Sequence, residues 1–265
     1  MKRIVAFLTV LSLIYGLATA SQRAEKMPAK GWVEAELMQL SVLPVNEAFP
    51  ILDDDIAAAA YSEGLMLWVD VSQRLLADNA SQYHNESLHL RLLEDVDARR
   101  MLKSAEATRL DFLLDMARRN AVGTRALDIA YRTADCTIGT LYEIATPLTL
   151  LYFNDPNCDA CEKVKNRLDT CHTLRNLVAE NKLTVLAVYP FSDETLWQGT
   201  DYPDYIVNGR EANGDIQNND SYCWTSLPVF YLLDSNKMVI IKNEPSLNRV
   251  ITSILDSTQK IVNNP

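Results

Sequence analysis

The chain is short of several things, and each shortage closes off a class of function. Its 265 residues carry 25 Lys and Arg against 35 Asp and Glu, a formal charge of -10. A protein with so little positive charge lacks the surface on which phosphate contacts depend, which argues against a nucleic-acid binder. Five cysteines are too few, and an odd number, for a disulfide scaffold of this length. There is no internal repeat, and after Leu17 no second long apolar run. Histidines number three; His84 and His89 stand in a polar stretch without a carboxylate or thiol at ligand spacing, and both read as surface residues. What remains is ordinary: 48% hydrophobic and 23% charged residues can bury a globular core, excluding collagen-like and disordered chains.

The first twenty residues form a unit of their own. Met1-Lys2-Arg3 is basic, Ile4 to Leu17 is apolar and uncharged, and Ala18-Thr19-Ala20 offers small residues to a signal peptidase. This is the pattern of a secretory signal, with cleavage expected before Ser21. An uncleaved anchor would want about 20 apolar residues, more than are present. No cysteine follows the run, so a lipoprotein is not expected. Removing residues 1–20 leaves 23 basic against 35 acidic residues, a charge of -12, on a soluble, periplasmic or otherwise extracytoplasmic protein without stable membrane insertion. Outside the cytosol a dithiol tends to oxidise unless something keeps it reduced.

Beyond the signal the rhythm changes twice. Residues 21–50 hold Pro28, Pro44 and Pro50 and read as a lead-in segment. Residues 51–123 read as a helical domain of three or four helices, because Asp53 to Asn120 contains no proline and one glycine. Asp53-Asp54-Asp55 suit a helix N-terminus. Leu65, Trp68, Val69 and Leu76 fall near one face, Leu110, Leu113, Leu114 and Ala117 on another, and Gly123 marks the stop. Residues 124–265 read as α/β with a mixed sheet: a hairpin over LDIAYR and IGTLYEI, buried strands at 147–153 and 183–190, strands 228–234 and 237–242, and an amphipathic helix from Ser246 to Val262. The stretch Ser192–Ser221 reads as a long connection, its Trp197, Tyr202 and Tyr205 either gripping a partner or packing onto the sheet.

Between strand 147–153 and its helix stands Cys158-Asp159-Ala160-Cys161. Cysteines three apart in a first helical turn lie about 5–6 Å apart at Cβ and reach disulfide range with a small tightening. Unpaired N–H groups and the helix dipole favour a thiolate at the first of them. Cys158 is therefore the expected nucleophile and Cys161 the resolving residue. Half of a zinc site is one alternative, but zinc wants four ligands and no second pair is present; a passive clip is another. The strand–C-x-x-C–helix context favours a redox centre. Cys171 continues the apolar face of Cys161, Val164, Leu168, Leu174 and Val178, and reads as core along one continuous helix. His172 reads as surface, and Cys136 and Cys223 as structural or free thiols.

The segments YFNDPNCDACEKVKNRL (152–168) and SYCWTSLPVFYLLD (221–234) resemble the thioredoxin-fold family. The resemblance covers roughly residues 124–265 and is nearest to exported bacterial thioredoxin-like proteins with an N-terminal helical domain of unknown function. It implies a thioredoxin-like fold preceded by a small all-α domain, a cis Leu227–Pro228 bond, and a Leu227 backbone that pairs with a bound peptide. It further implies a thiol–disulfide oxidoreductase acting through the Cys158–Cys161 pair without another cofactor; the expected role is to reduce or isomerise client disulfides with electrons from an extracytoplasmic donor. Two departures bear on that. The tryptophan common before the dithiol is Asn157, and the usual Gly-Pro is Asp159-Ala160. An anion at Asp159 opposes a Cys158 thiolate, pointing to a reducing dithiol nearer about −270 mV than about −120 mV. The buried carboxylate often used as proton acceptor has no evident counterpart; Glu162 reads as a capping or solvated residue. A different class is also open, a non-catalytic binding or envelope-interaction protein in which the pair is a structural disulfide.

Overall fold

The computed structural model describes residues 29–60 and 64–263, so the expected signal segment lies outside the described residues. The helical region begins earlier than the prolines suggest. Helices α1 (Lys30–Leu40) and α2 (Val45–Ala60) occupy most of the expected lead-in segment. Pro44 stands just ahead of α2, its carbonyl accepting from Glu47 and Ala48, and Pro50 is carried inside the helix at the loss of one intrahelical bond. Asp53–Asp55 therefore lie in mid-helix, not at an N-terminus. Helices α3 (Leu65–Ser72), α4 (Glu86–Arg99) and α5 (Ser104–Arg118) follow, with a π-helical turn at Gln73–Ala77. One core unites them: Val33 and Leu37 of α1, Leu52 and Ile56 of α2, Trp68 and Val69 of α3, Leu92 and Val96 of α4, Leu110 and Leu114 of α5. Each fully buried aliphatic of this kind contributes about 1.5–3 kcal/mol.

The helices' outer faces are laced by exposed ion pairs such as Arg109–Asp70 and Arg91–Asp53. His89 departs from the surface reading. It is 3% exposed, with Nδ1 3.1 Å from Ser72 Oγ. The Ser72 hydroxyl donates to the Val69 carbonyl, so the imidazole is the donor in that pair. Burial holds its pKa down to about 4.

After α5 the chain turns through Asn120, left-handed at φ 51, and Gly123 at φ 82. Among the described residues seven strands form one sheet in the order β2-β1-β5-β4-β3-β6-β7: β1 (Ala130–Thr133), β2 (Ile138–Thr140), β3 (Leu148–Phe153), β4 (Leu183–Tyr189), β5 (Ile206–Glu211), β6 (Val229–Leu233) and β7 (Val239–Glu244). The three central strands β3, β4 and β5 run parallel, with antiparallel neighbours on both sides. The pleat sorts β3 strictly. Leu148, Leu150 and Tyr152 face helices α6 (Asp159–Asp169), α7 (His172–Ala179) and α10 (Leu247–Asn263), while Leu151 and Phe153 face the other layer with Ile129, Leu141 and Tyr222.

Two expectations need correction here. The presumed connection 192–221 contains β5 and two short helices, α8 (Glu194–Gln198) and α9 (Asp215–Asn219). Its aromatics pack inward: Trp197 is buried and donates to Asn208 Oδ1 at 2.8 Å, and Tyr205 donates to the Leu168 carbonyl at 2.5 Å. The helix after the dithiol is not continuous either; it breaks between Asp169 and His172, and Cys171 is a half-buried N-cap of α7.

Candidate functional site

The dithiol sits where β3 ends and α6 begins. Asp155 turns the chain, its carbonyl accepting from Cys158 N–H at 3.0 Å and its Oδ1 from Asn157 N–H at 2.9 Å. This tight turn leaves Cys158 with extended backbone at the N-cap of α6. Its Sγ accepts from the Cys161 N–H at 3.2 Å, taking the capping place usually held by an oxygen. A sulfur so placed stands among unpaired helical N–H groups, where negative charge is favoured. No disulfide joins the two sulfurs. Cys158 is half-buried, whereas Cys161 is 3% exposed. Burial, helped by the hydrogen bond with Cys158, pushes the Cys161 thiol up to about 12. The pair is thus asymmetric, with one accessible sulfur on a helix terminus and one enclosed sulfur behind it.

Opposite the dithiol the bond Leu227–Pro228 is cis, and Cys158 Sγ lies 3.6 Å from the Leu227 carbonyl oxygen. The loop bearing Leu227 is fixed to the sheet by aromatic contacts. Phe153 of β3 packs on Trp224 at 5.0 Å and on Tyr222 at 5.1 Å between centroids. Tyr222 is buried and donates to the Leu127 carbonyl at 2.6 Å, tying the loop to the start of the sheet domain. Every residue singled out from the sequence for the reaction, Cys158, Cys161, Leu227 and Pro228, is therefore brought to one place.

What lies behind Cys161 was not foreseen. Tyr152, the penultimate residue of β3, donates to the Cys161 carbonyl at 2.9 Å and stacks on Phe230 at 5.1 Å. Tyr202 donates to Asn154 Oδ1 at 2.5 Å, and the Asn154 amide donates in turn to the Tyr152 carbonyl at 3.1 Å. Burial drives both phenols' pKa values up, with Cys161 adding to it, so they stay protonated and act as donors. Glu162 pairs with Lys165 on the exposed side of α6 at 3.0 Å. Tyr202 could have been found only by seeing that the segment after Trp197 returns to the sheet.

The other cysteines stand apart. Cys136 is exposed in the β1–β2 turn, left-handed at φ 67. Cys223 is half-buried, 3.3 Å from the Asp220 carbonyl, and burial raises its pKa. Among the described residues no group of three or more His, Cys, Asp or Glu is arranged to hold a metal ion. No helix there is long and apolar enough to cross a membrane.

No protein-family model matches the chain, and no curated protein does. Solved structures do. A thioredoxin-like protein from Bacteroides caccae is 24% identical with a TM-score of 0.78, over 86% of this chain and 83% of that one. The C-terminal domain of an uncharacterized protein from Bacteroides fragilis is 32% identical, over 52% of this chain and 99% of that one, with a TM-score of 0.49. The thioredoxin domain of a thiol-disulfide oxidoreductase from Bacteroides vulgatus is 17% identical, over 54% of this chain and 98% of that one, with a TM-score of 0.41.

Proposed function

We propose that this chain, a thioredoxin-like fold preceded by an N-terminal helical region, is an extracytoplasmic thiol–disulfide oxidoreductase that reduces or isomerises disulfides of partner proteins. The observation that carries this reading is the juxtaposition of Cys158 Sγ at a helix N-terminus with the Leu227 carbonyl, 3.6 Å away on an adjoining loop. A polypeptide pairing with the Leu227 backbone would present its disulfide to Cys158.

The chemistry follows from the asymmetry of the pair. The Cys158 thiolate attacks one sulfur of a partner disulfide; a new S–S bond forms, the old one breaks, and the partner's second sulfur leaves as a thiolate that takes up a proton. The Cys161 thiol is held protonated by burial and by Cys158. Once Cys158 is bound in the mixed disulfide its contribution is gone, which makes Cys161 easier to ionise. The Cys161 thiolate then attacks Cys158 Sγ and expels the partner's remaining sulfur, again as a thiolate. Two electrons have moved from the dithiol to the partner, and a Cys158–Cys161 disulfide remains. The protein needs no bound cofactor for this. An exported reductase does need an electron donor in the envelope to restore the dithiol.

The test is mixed-disulfide trapping. Cys161→Ser removes the resolving sulfur, so partner proteins should accumulate covalently on Cys158 while insulin reduction by the wild type proceeds. No insulin turnover, and no adduct on Cys158, would instead favour a scaffold with a structural disulfide.

A further inference from the structure

A loop of the helical region reaches the loop that carries Leu227. Asn79 follows the π-helical turn Gln73–Ala77; it is 1% exposed and lies beneath Thr225 and Ser226, the two residues that precede Leu227. Its Oδ1 accepts from the N–H of Thr225 at 2.8 Å and of Ser226 at 3.0 Å. Its Nδ2 donates to the Ser226 carbonyl at 2.8 Å and to Ser226 Oγ at 3.0 Å. The backbone N–H of Asn79 donates to Thr225 Oγ1 at 3.1 Å, and that hydroxyl donates to Asp78 Oδ1 at 2.7 Å. Thr225 and Ser226 are themselves exposed. Their fixed position comes from below, through Asn79, and from the neighbouring Trp224 packed on Phe153.

We propose that Asn79 is a positioning residue for polypeptide disulfides: it fixes the Leu227 backbone opposite Cys158, so that the helical region shares in substrate binding. This inference rests on the function proposed above. The geometry asks for one acceptor that serves two successive N–H groups and a donor that reaches a carbonyl on the same loop. A carboxamide on a single methylene supplies both. Aspartate keeps the acceptors and loses the donor; alanine loses all of them. A small disulfide such as hydroxyethyl disulfide has no backbone to pair, and reaches Cys158 without the Leu227 backbone.

The experiment compares steady-state reduction of insulin and of hydroxyethyl disulfide by the full protein, with dithiothreitol as electron source. Asn79→Ala should raise KM for insulin about 10-fold with kcat held within about 2-fold, the pattern of lost binding without lost chemistry. Asn79→Asp keeps the two N–H acceptors but sets a carboxylate oxygen against the Ser226 carbonyl, and should also raise KM for insulin at least about 3-fold. Arg109→Ala, which removes an ion pair on the surface of the helical region, should match wild type. The same Asp variant carries the test if the alanine variant does not fold. Hydrogen exchange should show faster amides at 225–226 with the sheet unchanged. A wild-type KM for insulin in both Asn79 variants overturns the inference, as does an equal fall in activity toward both disulfides. Wild-type protein inert toward both disulfides overturns the proposed function and this inference with it, and that outcome is seen without any variant.

Discussion

The helical region and the sheet domain are both well packed, yet they use their residues differently. In the helical region, apolar side chains turn inward to a single core and most charges pair on the outside, Arg109 with Asp70 and Arg118 with Glu94. The sheet domain has two cores, one on each face, and places its cysteine pair at the edge of both, where β3 ends and α6 starts. One region is organised for stability, the other spends a helix terminus and a tight turn on a sulfur. The seam between them is polar and enclosed: Lys242 of β7 pairs with Glu86 of α4 at 3.2 Å and donates to the Ala117 carbonyl at 2.9 Å. Separating the two regions would break this ion pair and the hydrogen bond to Ala117 together.

The contrast can be broken or sharpened by substitution. The largest effect is expected from Cys158→Ser, which should abolish insulin reduction while the thermal midpoint stays within a degree or so of wild type; a residual rate near wild type would move the chemistry elsewhere. Trp68→Ala should do the reverse. Trp68 is fully buried among the helices, so its truncation should cost about 3–5 kcal/mol in chemical denaturation while the reaction of Cys158 with a small disulfide persists.

A smaller effect should come from pH. His89 is held neutral by burial down to about 4, with Lys242 adding to this and Glu86 opposing it. The unfolded chain takes up that proton near pH 6.5, the native protein only near pH 4. The stability is complete above pH 6.5 and is lost as pH falls through that window, by about 3 kcal/mol in all. Asp95, raised to about 6 by burial and by its hydrogen bond with Asp53 against the opposing pull of Arg91, works in the opposite direction. The reading is therefore a difference: wild type should lose more stability than His89→Gln between pH 7.5 and pH 4.5, and equal losses would remove His89 from the account. The smallest effect belongs to Arg109→Ala, an exposed pair worth less than about 1 kcal/mol by urea denaturation.

The sequence showed strong signals and hid weak ones. The apolar run at 147–153, the strand at 183–190 and the amphipathic C-terminal helix appear as β3, β4 and α10 with small shifts at their ends. The dithiol was legible because a spacing of three at a strand–helix boundary is a local pattern. β5 was not: IVNGRE mixes polar residues with Gly209, and that glycine is closely packed, since a Cβ there would meet Leu186 Cδ1 at 3.0 Å and Tyr131 Cδ2 at 3.1 Å. The break before α7 was hidden because Leu168, Cys171 and Leu174 keep a helical spacing across it. Pro44 and Pro50 looked like punctuation, while one precedes a helix and the other is tolerated within it. Asn79 carries no sequence signal at all, because its partners lie 146 and 147 residues away.

The central claim is that Cys158 and Cys161 form a redox-active pair poised to give electrons, and its most direct test is the equilibrium of that pair with glutathione. The account predicts reversible formation of a Cys158–Cys161 disulfide with a potential nearer about −270 mV than about −120 mV. A potential above about −180 mV, or a pair that does not cycle between dithiol and disulfide, would contradict it.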